Sequence, residues 1–148
     1  MSDTKISALD LTKEVPRSPR SKVGGYVVAG RTLDKCRAEV AGTAGEYHFN
    51  CPLDTVFLEF AGISPDAFKE FVATGADDDA VAAWIKENGS GKSEEEIILW
   101  NNSLRYKRIS EMEVKLQVFL EDYIDEFIPE GKQVYYWFDV YDIEEGRI

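Results

Sequence analysis

Val134-Tyr135-Tyr136-Trp137-Phe138-Asp139-Val140-Tyr141 is the stretch whose reading sets the fold class. Its first five residues are β-branched or aromatic and have strong strand propensity. Read at helical spacing, the same stretch puts Val134, Trp137, Phe138 and Tyr141 on one face. A lone strand in a helical chain has no partner for its backbone N–H and C=O groups. Helix is therefore the expectation here, and with it a mainly α fold. The alternative is α+β, with short strands at Glu46–Asn50 and Val134–Phe138.

The segments before it carry clearer helix signals. Met112, Leu116, Phe119, Leu120, Tyr123 and Phe127 recur on one helical stripe that Pro129 and Gly131 bring to an end. Ser93 with Glu96 and Ser110 with Glu113 both read as capping boxes, predicting two helices at 94–108 and 111–128. Pro52 with Asp54, Ser64 with Pro65, and Asp77–Asp79 each open a shorter helix, with a preset φ, a capping side chain or first-turn acids. Gly62, Gly75 and Asn88-Gly89 close those three. Between 27 and 40 the apolar residues Val28, Leu33, Cys36 and Val40 fit a stripe only loosely, and Gly30 weakens its first turn. Ser90-Gly91-Lys92 reads as a short flexible link. The sum is about six or seven short helices in one domain, 1–148: a helical body over 23–148 and an irregular basic arm over 1–22, kept extended by Pro16 and Pro19.

The 148 residues suffice for a core without staples. A chain that is 44% hydrophobic and 30% charged has soluble globular composition. The longest apolar run, Ala80–Ile85, is far too short to span a membrane, so no membrane association is expected. No secretory signal is expected from Met1-Ser2-Asp3-Thr4-Lys5. Two cysteines make no disulfide framework and point to reduced thiols in a cytoplasmic setting. A net charge of -11 argues against a nucleic-acid partner held through phosphates.

That charge is unevenly spread. Residues 1–37 hold eight Lys or Arg against four Asp or Glu, and the remaining 111 hold nine against 24. The basic arm is expected to lie over the acidic body. Within the basic part, Arg31 and Lys35 are like charges at i,i+4, a mildly unfavourable arrangement that a bound anion would relieve. With Arg17 and Arg20 supplied by the arm, Arg31 and Lys35 form a candidate clamp for a small phosphate or carboxylate.

A second candidate is Cys51 with His48. Cys51 stands just before the helix opened by Pro52, and a helix N-terminus favours a thiolate nucleophile, with His48 as base. His48, Cys51 and Asp54 are also three apart, but a single His without CxxC gives no expectation of a metal. No Walker loop, GxGxxG, HExxH or GxSxG is present, so no cofactor is expected. The aromatic residues Trp84, Trp100 and Tyr135–Phe138 read as core, with Tyr135 or Tyr136 left over to line a groove or interface.

Pro16-Arg17-Ser18-Pro19-Arg20 with Gly24-Gly25-Tyr26, Asp34-Lys35-Cys36-Arg37-Ala38, Gly45 to Asp54, and the ending Trp137-Phe138-Asp139 with Glu144-Glu145-Gly146-Arg147 together resemble a bacterial family catalogued as domain of unknown function 5069. The resemblance runs from about Asp10 to Arg147 and implies a small domain with no established activity. The expected function, from the residues themselves, is a non-catalytic module binding a small anionic ligand or a protein partner. The alternative is a small-substrate enzyme using Cys51 with His48.

Overall fold

The computed structural model describes residues 7–148; the first six residues of the expected arm lie outside the described residues. Among the described residues there are seven α-helices: α1 Ala29–Ala41, α2 Pro52–Ala61, α3 Pro65–Val72, α4 Asp78–Asn88, α5 Glu94–Arg105, α6 Val114–Phe127 and α7 Trp137–Glu144. The fold is mainly α. No sheet forms among these residues; extended pairing is confined to two isolated bridges, Val23 with Tyr26 and Arg108 with Tyr136. Residues 46–50 are turns and loop, not a strand. The chain divides into two compact units, one reaching to Ile98 and the other Leu99–Ile148, with the division inside α5.

In the first unit the helix starts follow the local chemistry. Ser64 Oγ accepts from Ala67 N–H at 3.3 Å, Asp77 Oδ1 from Ala80 N–H at 2.8 Å, and Ser93 and Glu96 exchange both bonds of their capping box. Helix α1 packs against α2 and α3 and is buried along most of its length, including Arg31, Thr32, Asp34 and Lys35. That explains its weak apolar period: a helix buried on every side has no solvent face to mark with polar residues. Gly30 is small for a reason. A Cβ there would lie 3.4 Å from Arg17 Cζ and 3.3 Å from Ser21 Cβ, so the arm runs across this turn. Leu11 N–H to the Thr43 carbonyl at 2.8 Å and Val28 N–H to the Pro19 carbonyl at 2.7 Å tie the arm at both ends of α1. Val28 holds φ 72°, a costly conformation for a β-branched residue, fixed by that bond and by complete burial.

The core of this unit is aromatic. Phe68 is stacked on Phe49 at 5.8 Å and meets Phe57 and Trp84 edge-on, while Trp84 stacks on Phe71 at 5.2 Å. Tyr26 meets Phe57 edge-on at 5.3 Å. The link 90–92 is anchored rather than free. Ser90 N–H donates to the Ala61 carbonyl at 2.8 Å, joining the end of α4 to the end of α2.

In the second unit the structure revises three boundaries. Helix α5 stops at Arg105, three residues short of the expected end. The Ser110–Glu113 capping box does not form: Ile109–Glu111 is a single 3-10 turn, and α6 starts at Val114 with no side-chain cap. Gln117 instead satisfies the turn, donating to the Met112 carbonyl at 2.6 Å. The ambiguous C-terminal stretch is divided. Val134–Tyr136 is extended, because Ile109 N–H bonds the Tyr135 carbonyl and Trp137 N–H the Lys107 carbonyl, both at 2.9 Å. That loop supplies the backbone partner a lone strand lacks. The helix begins only at Trp137, with Trp137, Phe138, Val140 and Ile143 buried and Tyr135 left exposed.

Candidate functional site

The basic residues singled out by charge are placed by α1 and the arm. Arg17 forks onto Asp34, with Nε to Oδ2 and Nη2 to Oδ1 both at 3.1 Å, while its own backbone N–H also reaches Asp34 Oδ2 at 2.9 Å. Its Nη1 reaches Asp78 Oδ2 at 2.8 Å, and Arg37 Nη1 meets the other oxygen of Asp78 at 2.9 Å. Burial alone would lower the Arg17 pKa, but the bonds to Asp34 and Asp78 outweigh it and hold the guanidinium above its ordinary value. Burial likewise opposes the charge on Asp78, and the two arginines override it, keeping that carboxyl below its usual range.

Arg31 donates to the Arg17 carbonyl at 3.3 Å and lies over the Tyr47 ring at 5.7 Å. Arg20 is half-buried and takes no part in the Asp34 and Asp78 pairs. Lys35 points the other way, to the start of α2. Its Nζ is 2.9 Å from Asp54 Oδ2 and 3.0 Å from Cys51 Sγ, with Lys35 and Asp54 both buried. Asp54 also accepts from Thr32 Oγ1 at 2.6 Å and from Asn50 N–H at 2.9 Å. The carboxylates that meet Arg17 and Lys35 are thus the chain's own. Arg17 and Lys35 pair with different carboxylates, Asp34 and Asp78 for the one and Asp54 for the other.

Cys51 caps α2 and is half-buried. The side chain at its sulfur is Lys35; His48 is exposed and makes no hydrogen bond to it. The Lys35 contact is sixteen residues away in sequence, so the local spacing that suggested His48 gave no sign of it. Cys36 is fully buried, and burial, with the Glu39 charge second, pushes its thiol up to about 12. Among the described residues no three His, Cys, Asp or Glu side chains are grouped as a metal ion needs. None of the helices is long and apolar enough to cross a membrane.

A groove that sequence reasoning missed lies elsewhere in the first unit. It encloses about 360 Å³, at the small end of ligand pockets. One wall is the tight turn Val23–Tyr26, whose ends exchange two backbone bonds at 3.2 Å. Gly24 and Gly25 both take positive φ there, and a Cβ on Gly24 would touch Ala82 of α4 at 3.5 Å. Ala82, the buried Ile85 and Ile97 of α5 line the groove as well. Lys86 and Lys92 stand at the rim with Glu94. Lys92 Nζ is held 4.8 Å above the Phe60 ring by cation–π attraction. Neither lysine forms an ion pair among the described residues, unlike Arg17 or Lys35. The buried Tyr26, also in the lining, has its phenol pushed above its ordinary value by burial and then by the Glu96 charge.

Two other hollows are less suited to an anion. One of about 390 Å³ is rimmed by Asp77, Asp78 and Asp79, and Arg37 beside it is already paired. One of about 290 Å³ in the second unit carries Arg108 and Lys132 but is lined by Ser110, Gln117 and Glu121.

The profile of a family described as Domain of unknown function (DUF5069) matches residues 13–147, almost the whole chain. The chain belongs to the DUF5069 family. No match is found among curated proteins. In this DUF5069 chain the matched span takes in the arm from Lys13, the paired arginines, Cys51 and the Lys86–Lys92 groove.

Proposed function

We propose that this DUF5069 chain is a non-catalytic module that binds a small anionic ligand, seated in the groove between the Val23–Tyr26 turn, α4 and the start of α5. The observation that carries the reading is the pair Lys86 and Lys92 beside an apolar hollow, without an ion pair among the described residues. Neither ammonium is within ion-pair distance of a carboxylate among the described residues, whereas Arg17 and Lys35 are. A ligand at about 100 times its dissociation constant adds about 2.7 kcal/mol of stability. For a chain of this length that is a rise in Tm of roughly 5–11 °C. A thermal-shift panel of carboxylates, inorganic phosphate and nucleotides, read against matched chloride, tests it. At least one anion should raise Tm in the wild type, and the surface double variant K86E/K92E should lose that rise. If no anion exceeds chloride, or the rise survives K86E/K92E, this reading is wrong.

A second reading, an enzyme acting through Cys51, has one observation in its favour: Lys35 Nζ lies 3.0 Å from Sγ. It is the weaker one. Lys35 is already paired with Asp54, and none of the three hollows is lined by Cys51.

A further inference from the structure

Resting on the groove as the binding site, we infer that its ligand is a monocarboxylate with an apolar body, such as a medium-chain or aromatic acid.

Much of the groove lining is hydrocarbon. The side chains of Ala82, Ala83, Ile85 and Ile97 are aliphatic, and Tyr26 adds an aromatic ring to the lining. A hydrated inorganic ion gains nothing from that surface, whereas an alkyl or aryl body gains about 25 cal/mol for each Å² removed from water. The hollow is long enough in volume for such a body and too small for a dinucleotide.

The head is limited to about one charge. Two ammonium groups stand at the rim, but Glu94 lines it too, and Glu95 and Glu96 follow in the same first turn of α5. A second or third negative charge on the ligand would meet these carboxylates at close range. The lining is also poorer in phosphate donors than a dedicated phosphate site. It contains no arginine fork, and at the α5 N-terminus the Ser93 and Glu96 N–H groups are taken by their own capping box. Lys92 above Phe60 and Lys86 in the last turn of α4 are point charges, suited to a single carboxylate at the mouth of an apolar hollow.

Isothermal titration of the full chain with octanoate, benzoate, acetate, inorganic phosphate and octylammonium tests this, with A83W and K86E/K92E alongside. Ala83 is exposed at the groove, so Trp there obstructs it without entering the core. Octanoate or benzoate should bind at least tenfold more tightly than acetate or phosphate, octylammonium should not bind, and each variant should weaken the acid at least tenfold. If acetate or phosphate binds as tightly as octanoate and K86E/K92E abolishes it, the anion site stands and the monocarboxylate inference falls. If octylammonium matches octanoate, or nothing binds, both fall. A83W that binds octanoate as the wild type does would also overturn the inference, because the apolar body would then lie outside the groove.

Discussion

A methyl group at Gly89 would stand 2.5 Å from the carbonyl oxygen of Ala61, closer than real Cβ contacts come. The carbonyl of Ile85 lies 2.7 Å from the same point, so neither obstacle is a side chain that can turn away. This crossing joins the ends of α2 and α4. The Ala61 oxygen also accepts the Ser90 N–H, and the link that follows carries Lys92 to its place over Phe60. G89A should therefore lose about 1–3 kcal/mol, as overpacking does. Urea denaturation with an unchanged m-value would show it, and a loss below about 0.5 kcal/mol would mean that the crossing is looser than described.

Lys35 and Asp54 form a buried ion pair, with side-chain exposures of 4% and 0%. Removing one partner leaves the other charge buried, which costs about 3–5 kcal/mol. K35M and D54N should each fall steeply in stability, and the double variant should fall by less than their sum because the sites share one contact. A double-mutant cycle in urea measures this. Additive losses would show that the two side chains do not interact.

Asp78 sets the acid response. Its folded pKa is depressed by Arg17 and Arg37, so the stability it contributes is present above its unfolded value and is lost as pH falls through the folded one. The window lies below about pH 4. D78N should be less stable than the wild type near pH 7 by at most about 1 kcal/mol, because Asp78 is half exposed and the pair is screened. The gap should close as pH drops below 4. A gap that stayed constant down to pH 2 would assign the effect to packing.

The two thiols should separate cleanly. Cys36 is fully buried with its thiol pushed up to about 12, and Cys51 is half-buried at the surface of α2. Iodoacetamide at pH 8 should add one label to the native protein, at Cys51, and two in urea; mass spectrometry of the digest decides it. Labelling of native Cys36 at a rate like that of Cys51 would contradict the burial.

What the sequence determined by itself is the part of the structure that is local. Ser64, Asp77 and Ser93 cap helices because each side chain reaches an N–H three residues away, a distance that needs no other part of the chain. The mainly α class followed from these signals and from apolar spacing. Ser110 carried the same signal and failed, because the chain there turns to pair Ile109 with Tyr135 and Lys107 with Trp137. That pairing is a tertiary contact, and it also kept Val134–Tyr136 out of α7.

The charges show the same division. Their total and the basic excess before residue 37 were legible, but not which carboxylate each base would meet. Arg17 finds Asp34 at 17 residues and Asp78 at 61, and Lys35 finds Asp54 at 19. The groove is made of the Val23–Tyr26 turn, α4, the anchored link and α5, segments that share no sequence period. Close approaches such as those at Gly24 and Gly89 bring them together. Caps and stripes are fixed by bonds spanning a helical turn, whereas ion-pair choice and cavity shape are fixed by which surfaces meet, and that was decided by packing.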